Sequence, residues 1–194
     1  MNTSRLGPIV LAASFPLLLA GCQTSSSIDL STPPAPVAGY SSDDFYWGVY
    51  EDNGVFVAGQ PSEQALRRIT AERGVTTVVN LRTPAEMSNR AQVPYDEAAA
   101  ARSLNVDYVE IPMNGSDEFP YAPDAVDRFA EAMDNAEGPV LLHCRSAGRA
   151  SHLWAAYLTK YRGVAPADAY ARGQQINLQP SIYDRFVGEG PQSR

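Results

Sequence analysis

From Gly54 onward, short runs of apolar and β-branched residues alternate with segments in which apolar side chains recur every three or four positions. Four runs read as strands: Gly54-Val55-Phe56-Val57-Ala58, Val75 to Leu81, Val106 to Ile111 and Pro139 to His143. The segments between them read as helices. Ser62 to Ile69 opens on a capping serine, Tyr95 to Leu104 is alanine-rich, and Ala122 to Ala136 sets Val126, Phe129, Ala130 and Met133 on one helical face. Two further helices are expected over about 149–161 and 166–174, with Gly163 and Pro166 marking the gap, and a short one after Pro180. This alternation predicts an α/β fold, a mostly parallel sheet of four to five strands with helices on both faces.

The first 40 residues break the pattern. Arg5 precedes an apolar run from Ile9 to Ala20, and Leu19-Ala20-Gly21 stands ahead of Cys22. The run is too short to span a bilayer stably and reads as an export signal over residues 1–21. The cysteine after two small residues resembles the lipobox of bacterial lipoproteins, which implies a lipidated Cys22, a membrane partner through its acyl chains and a place in the cell envelope. Gln23 rather than Asp after the cysteine is similar to lipoproteins sent to an outer membrane, where the cell has one. Residues 22–40 are rich in Ser, Thr, Pro and Ala, bury little, and read as a flexible tether ahead of one domain over residues 41–190. Tyr40 to Tyr50, with Phe45, Tyr46 and Trp47, reads as an arm stapled to the core rather than as a binding platform.

Charge narrows the partners. With 15 Lys+Arg against 22 Asp+Glu the chain carries −7, and Arg67-Arg68 is its only short basic cluster, so nucleic acid is not an expected partner. Two histidines and two cysteines leave no donor set for a metal, and no cofactor is expected. If Cys22 is lipidated, Cys144 has no partner for a disulfide and is either an inert buried thiol or a reactive one.

The surroundings of Cys144 favour reactivity. The fourth strand runs into His143-Cys144-Arg145-Ser146-Ala147-Gly148-Arg149 and then a helix. In a strand, small-residue loop and helix start, successive amides and the positive end of the helix make an anion cradle, and the same field favours a thiolate. Cys144 is thus the candidate nucleophile. Arg149 offers a planar fork for a tetrahedral oxyanion, and His143, Arg145, Ser146, Ala147 and Gly148 line the anion site.

The whole pattern resembles the phosphatase-like family of bacterial beta-lactamase hydrolase-like proteins, within the protein tyrosine phosphatase superfamily. Val57-Ala58-Gly59-Gln60-Pro61-Ser62 is similar to that family's opening strand and turn, and Gly74 to Arg82 to its second strand. Tyr108 to Pro112 and Leu153-Trp154-Ala155 fit as well. The resemblance implies a cysteine phosphatase-like fold and hydrolysis of a phosphorylated small molecule or protein. It also implies a general acid on the loop after the strand that precedes the cysteine strand, where Asp117 is the candidate and Glu118 its neighbour. Asn80 and Arg82 fall at the same sheet edge, although Arg82 could equally pair with Glu86 on the surface. His152 reads as structural or surface.

Two departures bear on the reaction. The superfamily usually spaces cysteine and arginine by five residues, and here four intervene. Ala147 stands where the family carries glycine, which is strained if that position needs positive φ, and Ala150 stands where a leaving-thiolate hydroxyl is common. Four-residue spacing is also typical of rhodanese sulfurtransferases, so sulfur transfer through a Cys144 persulfide, or a catalytically weak anion-binding envelope domain, stand as alternatives.

Overall fold

A computed structural model describes residues 28–180 and 182–187. In chain order the elements are β1 (Ala35–Pro36), β2 (Val49–Asp52), β3 (Val55–Ala58), α1 (Glu63–Arg73), β4 (Thr77–Asn80), α2 (Pro84–Ser88) and α3 (Glu97–Ser103). They continue with β5 (Asp107–Glu110), α4 (Pro123–Asn135), β6 (Val140–His143), α5 (Gly148–Arg162), α6 (Pro166–Ile176) and α7 (Tyr183–Val187). The six strands are ordered β1-β2-β3-β6-β4-β5. β3, β6, β4 and β5 run parallel, while β1 and β2 pair antiparallel at one edge. The fold is the expected α/β layer, enlarged by this small antiparallel edge.

Period-two burial explains why the central strands read as unbroken apolar runs. Val55, Val57, Val79 and Leu142 face a core with Phe129, Leu153, Trp154 and Tyr157 from α4 and α5. Phe56, Val78 and Leu141 face the opposite core with Leu66 and Ile69 of α1 and Ala100 and Ala101 of α3. Strands covered on both faces have no solvent side to mark with polar residues. The cysteine strand β6 sits between β3 and β4, so its carboxyl end opens at the middle of the sheet edge.

The described part of the expected tether, residues 28–40, lies on the domain instead of standing off it. β1 pairs Ala35 with Glu51 and Pro36 with Tyr50. Arg172 of α6 donates to the carbonyls of Thr32 (2.8 Å) and Leu30 (3.4 Å), and Asn53 and Asp29 exchange hydrogen bonds. The segment is held by its backbone polar groups, which its scarcity of large apolar side chains did not reveal. Phe45 is fully buried and Tyr40 packs edge-on against it, so this arm is stapled as expected, while Tyr46 and Trp47 stay exposed. The export signal, Cys22 and residues 23–27 lie outside the described residues. No helix among the described residues is long and apolar enough to cross a membrane.

Candidate active site

The site forms where β3, β6, β4 and the β5–α4 loop end together. Cys144 follows β6, is 1% exposed, and donates its backbone N–H to the Ala58 carbonyl. The next residues are pinned to the β3 side. Ser146 bridges to Gly59, and Gln60 N–H donates to the Arg145 carbonyl at 3.0 Å. Gly59 is needed for this approach, because a Cβ there would lie 1.5 Å from the Tyr46 carbonyl oxygen and 3.0 Å from that of Arg145.

All four carbonyls from Arg145 to Gly148 are bonded away from the loop's centre. Besides the Gln60 bond to Arg145, Asn177 Nδ2 donates to the Ser146 carbonyl at 2.6 Å, and Ser151 N–H and Oγ–H donate to the Ala147 carbonyl. The Gly148 carbonyl, also 2.9 Å from Ser151 Oγ, shares that hydroxyl proton and lies 2.6 Å from His152 Nδ1. Among the described residues, no acceptor is paired with the amides of Arg145, Ser146, Gly148 or Arg149, while the bridge to Gly59 turns the Ala147 amide toward the Ala58 carbonyl. The turn is made at Ala147, whose φ of 64° is left-handed and which immediately precedes α5. The left-handed conformation therefore falls on the alanine, and Gly148 is already helical. Helix α5 is long enough, from Gly148 to Arg162, to place a full N-terminal partial charge beneath this ring of amides.

Arg149 is fixed on the β4–β5 side. Its Nη1 and Nη2 form a bidentate pair with Glu86, at 2.9 and 2.7 Å, and Nη1 also donates to the carbonyls of Met113 (2.6 Å) and Leu81 (3.3 Å). Its Nε edge has no acceptor among the described residues. Glu86 is itself held at the third position of α2 by a capping box with Thr83. Burial opposes the charge of Glu86, yet hydrogen bonds from Arg149 and the Thr83 amide, with the charges of Arg149 and Arg82, hold its carboxyl down to about 2. Burial likewise opposes the charge of Arg149, and Glu86 outweighs it, keeping the guanidinium above its ordinary value.

Behind the loop lies a buried polar network. Glu97 Oε1 is 2.8 Å from His143 Nε2, at ion-pair distance though poorly aligned for a hydrogen bond, and His143 Nδ1 has no partner among the described residues. Glu97 also accepts from Tyr95 (3.0 Å), Tyr108 (3.1 Å) and Gln60. Despite its burial, the charge of His143 and these donors hold Glu97 below the usual carboxylate range, while burial and the charge of Glu97 push the Tyr95 and Tyr108 phenols up. Arg82, 1% exposed, donates to Gln60 (2.8 Å) and Gln92 (3.0 Å), and its Nε lies 3.4 Å from Glu86. Asn80 joins the set through Tyr108 Oη and the Arg82 amide.

The structure thus brings His143, Cys144, Arg145, Ser146, Ala147, Gly148 and Arg149 into one loop. Asp117 makes no hydrogen bond or ion pair with it. Its carboxyl is exposed at the tip of the β5–α4 loop, which closes on itself through Asn114 and Gly115 N–H to the Phe119 carbonyl. Arg82 is no surface group, and Glu86, expected as its surface partner, is principally the partner of Arg149. Ser151 is turned to backbone carbonyls, leaving Ser146 as the loop's free hydroxyl. His152 is structural, its Nε2 2.6 Å from the Gln179 carbonyl, and burial depresses its pKa. Sequence reasoning missed the roles of Gln60, Glu86 and Glu97.

The comparisons agree with this geometry. The family described as "Beta-lactamase hydrolase-like protein, phosphatase-like domain" matches residues 52–160, more than half of the chain. Two beta-lactamase hydrolase-like proteins of Xylella fastidiosa, strains Temecula1 and 9a5c, are each 31% identical over 99 residues, covering 51% of this chain and 22% of their own length. Among solved structures, PTPMT1 in complex with PI(5)P superposes with a TM-score of 0.57 at 15% identity, covering 69% of this chain and 87% of that one. TpbA of P. aeruginosa, in complex with pTyr, gives 0.53 at 19% identity over 74% and 79%. A Shewanella putrefaciens CN-32 protein, described as a provisional phosphatase, gives 0.51 at 26% identity over 70% and 81%. With its cysteine loop between two parallel strands, its arginine braced by a capping-box glutamate and its matched residues in family order, the chain belongs to the phosphatase-like domain family of the beta-lactamase hydrolase-like proteins.

Proposed function

We propose that the protein hydrolyses phosphate monoesters through Cys144. The single observation that carries this reading is the loop's polarity, with every carbonyl from 145 to 148 tied to a donor and the amides of 145, 146, 148 and 149 left for an anion beside the cysteine. The Cys144 thiolate attacks phosphorus, forming an S–P bond as the bond to the leaving oxygen breaks. Asp117 protonates that oxygen once its exposed loop folds over the site. Water then attacks the thiophosphate, its proton passes to the Asp117 carboxylate, and inorganic phosphate leaves the regenerated thiolate. Arg149 and the loop amides stabilise the equatorial oxygens throughout. Leu19-Ala20-Gly21-Cys22 supports a lipidated Cys22 and action at the cell envelope on a phosphorylated small molecule or protein.

One paired assay tests the reaction. The full chain and its Cys144→Ser variant are given an aryl phosphate, and separately thiosulfate with cyanide. Phosphate release by the parent and its loss in the variant are expected. Release that survives Cys144→Ser refutes the nucleophile, thiocyanate formation in place of phosphate release assigns sulfur transfer, and inactivity on both assigns an anion-binding role. Anchoring is tested by detergent-free fractionation, in which Cys22→Ala should move the protein from the membrane to the soluble fraction.

A further inference from the structure

A cleft of about 330 Å³ is lined by Tyr46, Gln60, Arg82 and Gln92 together with Arg145 of the anion loop, the residue that follows Cys144. Its charges are unequally satisfied. Arg82 is 1% exposed, donates to Gln60 and Gln92 and shares Glu86 with Arg149, so it is turned inward to protein partners. Arg145 is exposed, has no carboxylate partner among the described residues, and rests its guanidinium 5.5 Å from the centroid of the Tyr46 ring. The Tyr46 backbone is fixed, because its N–H donates to the Gln60 carbonyl at 3.0 Å, while the ring stays half exposed. In a chain of net charge −7, an exposed guanidinium over an aromatic ring in a cleft, with no ion pair among the described residues, is an uncompensated charge. It is not needed for the scissile phosphate, which the loop amides and Arg149 already serve.

We propose that this cleft binds a second anionic group of the substrate, a phosphate or carboxylate, with the Arg145 side chain as its cationic partner and Tyr46 setting the arginine's position. The proposal deepens the phosphatase reading and rests on it. Preferred substrates are then phosphomonoesters that carry a further anion within reach of Arg145, and Arg145 is the residue that determines this preference. Asp43 is the one acid lining the cleft and acts against it, limiting the preference without abolishing it.

The test compares phenyl phosphate with its 3- and 4-carboxy derivatives on the full chain, reading kcat/KM ratios so that leaving-group differences cancel between variants. A charge-assisted contact predicts that Arg145→Gln lowers the carboxylate preference about tenfold. Arg145→Lys should restore part of it, and Asp43→Asn should raise it. Equal ratios in the parent and Arg145→Gln overturn the proposal. If the parent releases no phosphate from any of the three, the phosphatase reading has failed, and the cleft is judged by binding of phenylphosphonate and 4-carboxyphenylphosphonate to the same proteins. Tighter binding of the carboxylated compound, lost in Arg145→Gln, supports the cleft, and equal affinities overturn it.

Discussion

Both ends of the sheet set an arginine against a carboxylate, buried at one and half-buried at the other, and they differ in what is left over. At the end where the parallel strands begin, Asp52 accepts from Arg172 through both oxygens and from Trp154 Nε1 (2.8 Å), while Arg172 also caps the carbonyls of residues 30 and 32. The charged groups of this cluster are met within the protein, although the Thr76 and Thr77 hydroxyls at the same end of the sheet have no partner among the described residues, and the result is a clasp for the N-terminal arm. At the end where those strands finish, Glu86 and Arg149 form a comparably close pair, yet four loop amides, the Nε edge of Arg149, Arg82 Nε and His143 Nδ1 have no hydrogen-bond partner among the described residues. Unmet polar groups are costly when buried. Their concentration around Cys144, against their satisfaction around Asp52, separates a site from a staple.

The contrast can be broken most forcefully at the clasp. Asp52→Ala leaves a buried guanidinium unpaired and should cost about 3–5 kcal/mol of stability, measured by chemical denaturation, with turnover per folded molecule unchanged. At the site the loss should fall on chemistry. Arg149→Lys keeps a charge but forfeits the fork on Glu86, and should lower kcat/KM about 10²- to 10³-fold, with a smaller change in stability than Asp52→Ala. A Glu86→Gln variant sharpens the comparison through pH. The folded-state value of Glu86, about 2, lies below its ordinary 4.5, so its contribution is present above about pH 4.5 and is lost as the pH falls toward 2. Melting curves across that window should slope less steeply with pH in the variant than in the parent.

Ala147→Gly should give the smallest effect. Left-handed backbone costs an alanine about 1 kcal/mol, but its methyl is fully buried, a gain of about 0.8 kcal/mol. Ala147→Gly should therefore shift stability by less than about 1 kcal/mol, whereas Ala147→Val, adding a branched side chain at the same φ, should unfold the loop. Equal melting temperatures for the two variants would contradict this account of the turn.

The sequence made the apolar strands and most helices legible because both depend on periodicity. Two elements were missed although their local signals were present. Asn53-Gly54, with φ of 52° and 80°, is the tight hairpin turn joining β2 to β3, but Tyr50-Glu51-Asp52 looked too polar for a strand. Thr83-Pro84-Ala85-Glu86 is a capping box with proline at the first helical position, overlooked because α2 is only five residues long and buries none of them. The reactive loop was legible because residues contiguous in sequence build it. Its supports were not, since nothing local distinguishes Glu97, 2% exposed at the head of α3, from the many solvated acids of this chain. Long-range partners such as Gln60 and Arg82 emerge only when β3 and β4 are set on either side of β6.

The central claim is that Cys144 forms a bond to phosphorus. Rapid acid quenching of the full chain with an aryl phosphate, followed by mass spectrometry of the peptide containing Cys144, tests it directly. The account predicts the mass of one phosphoryl group on that cysteine, accumulating within the first turnover and absent from Cys144→Ser. Phosphate released with no such adduct on the quenched enzyme, or with the phosphoryl group on another residue, would contradict it.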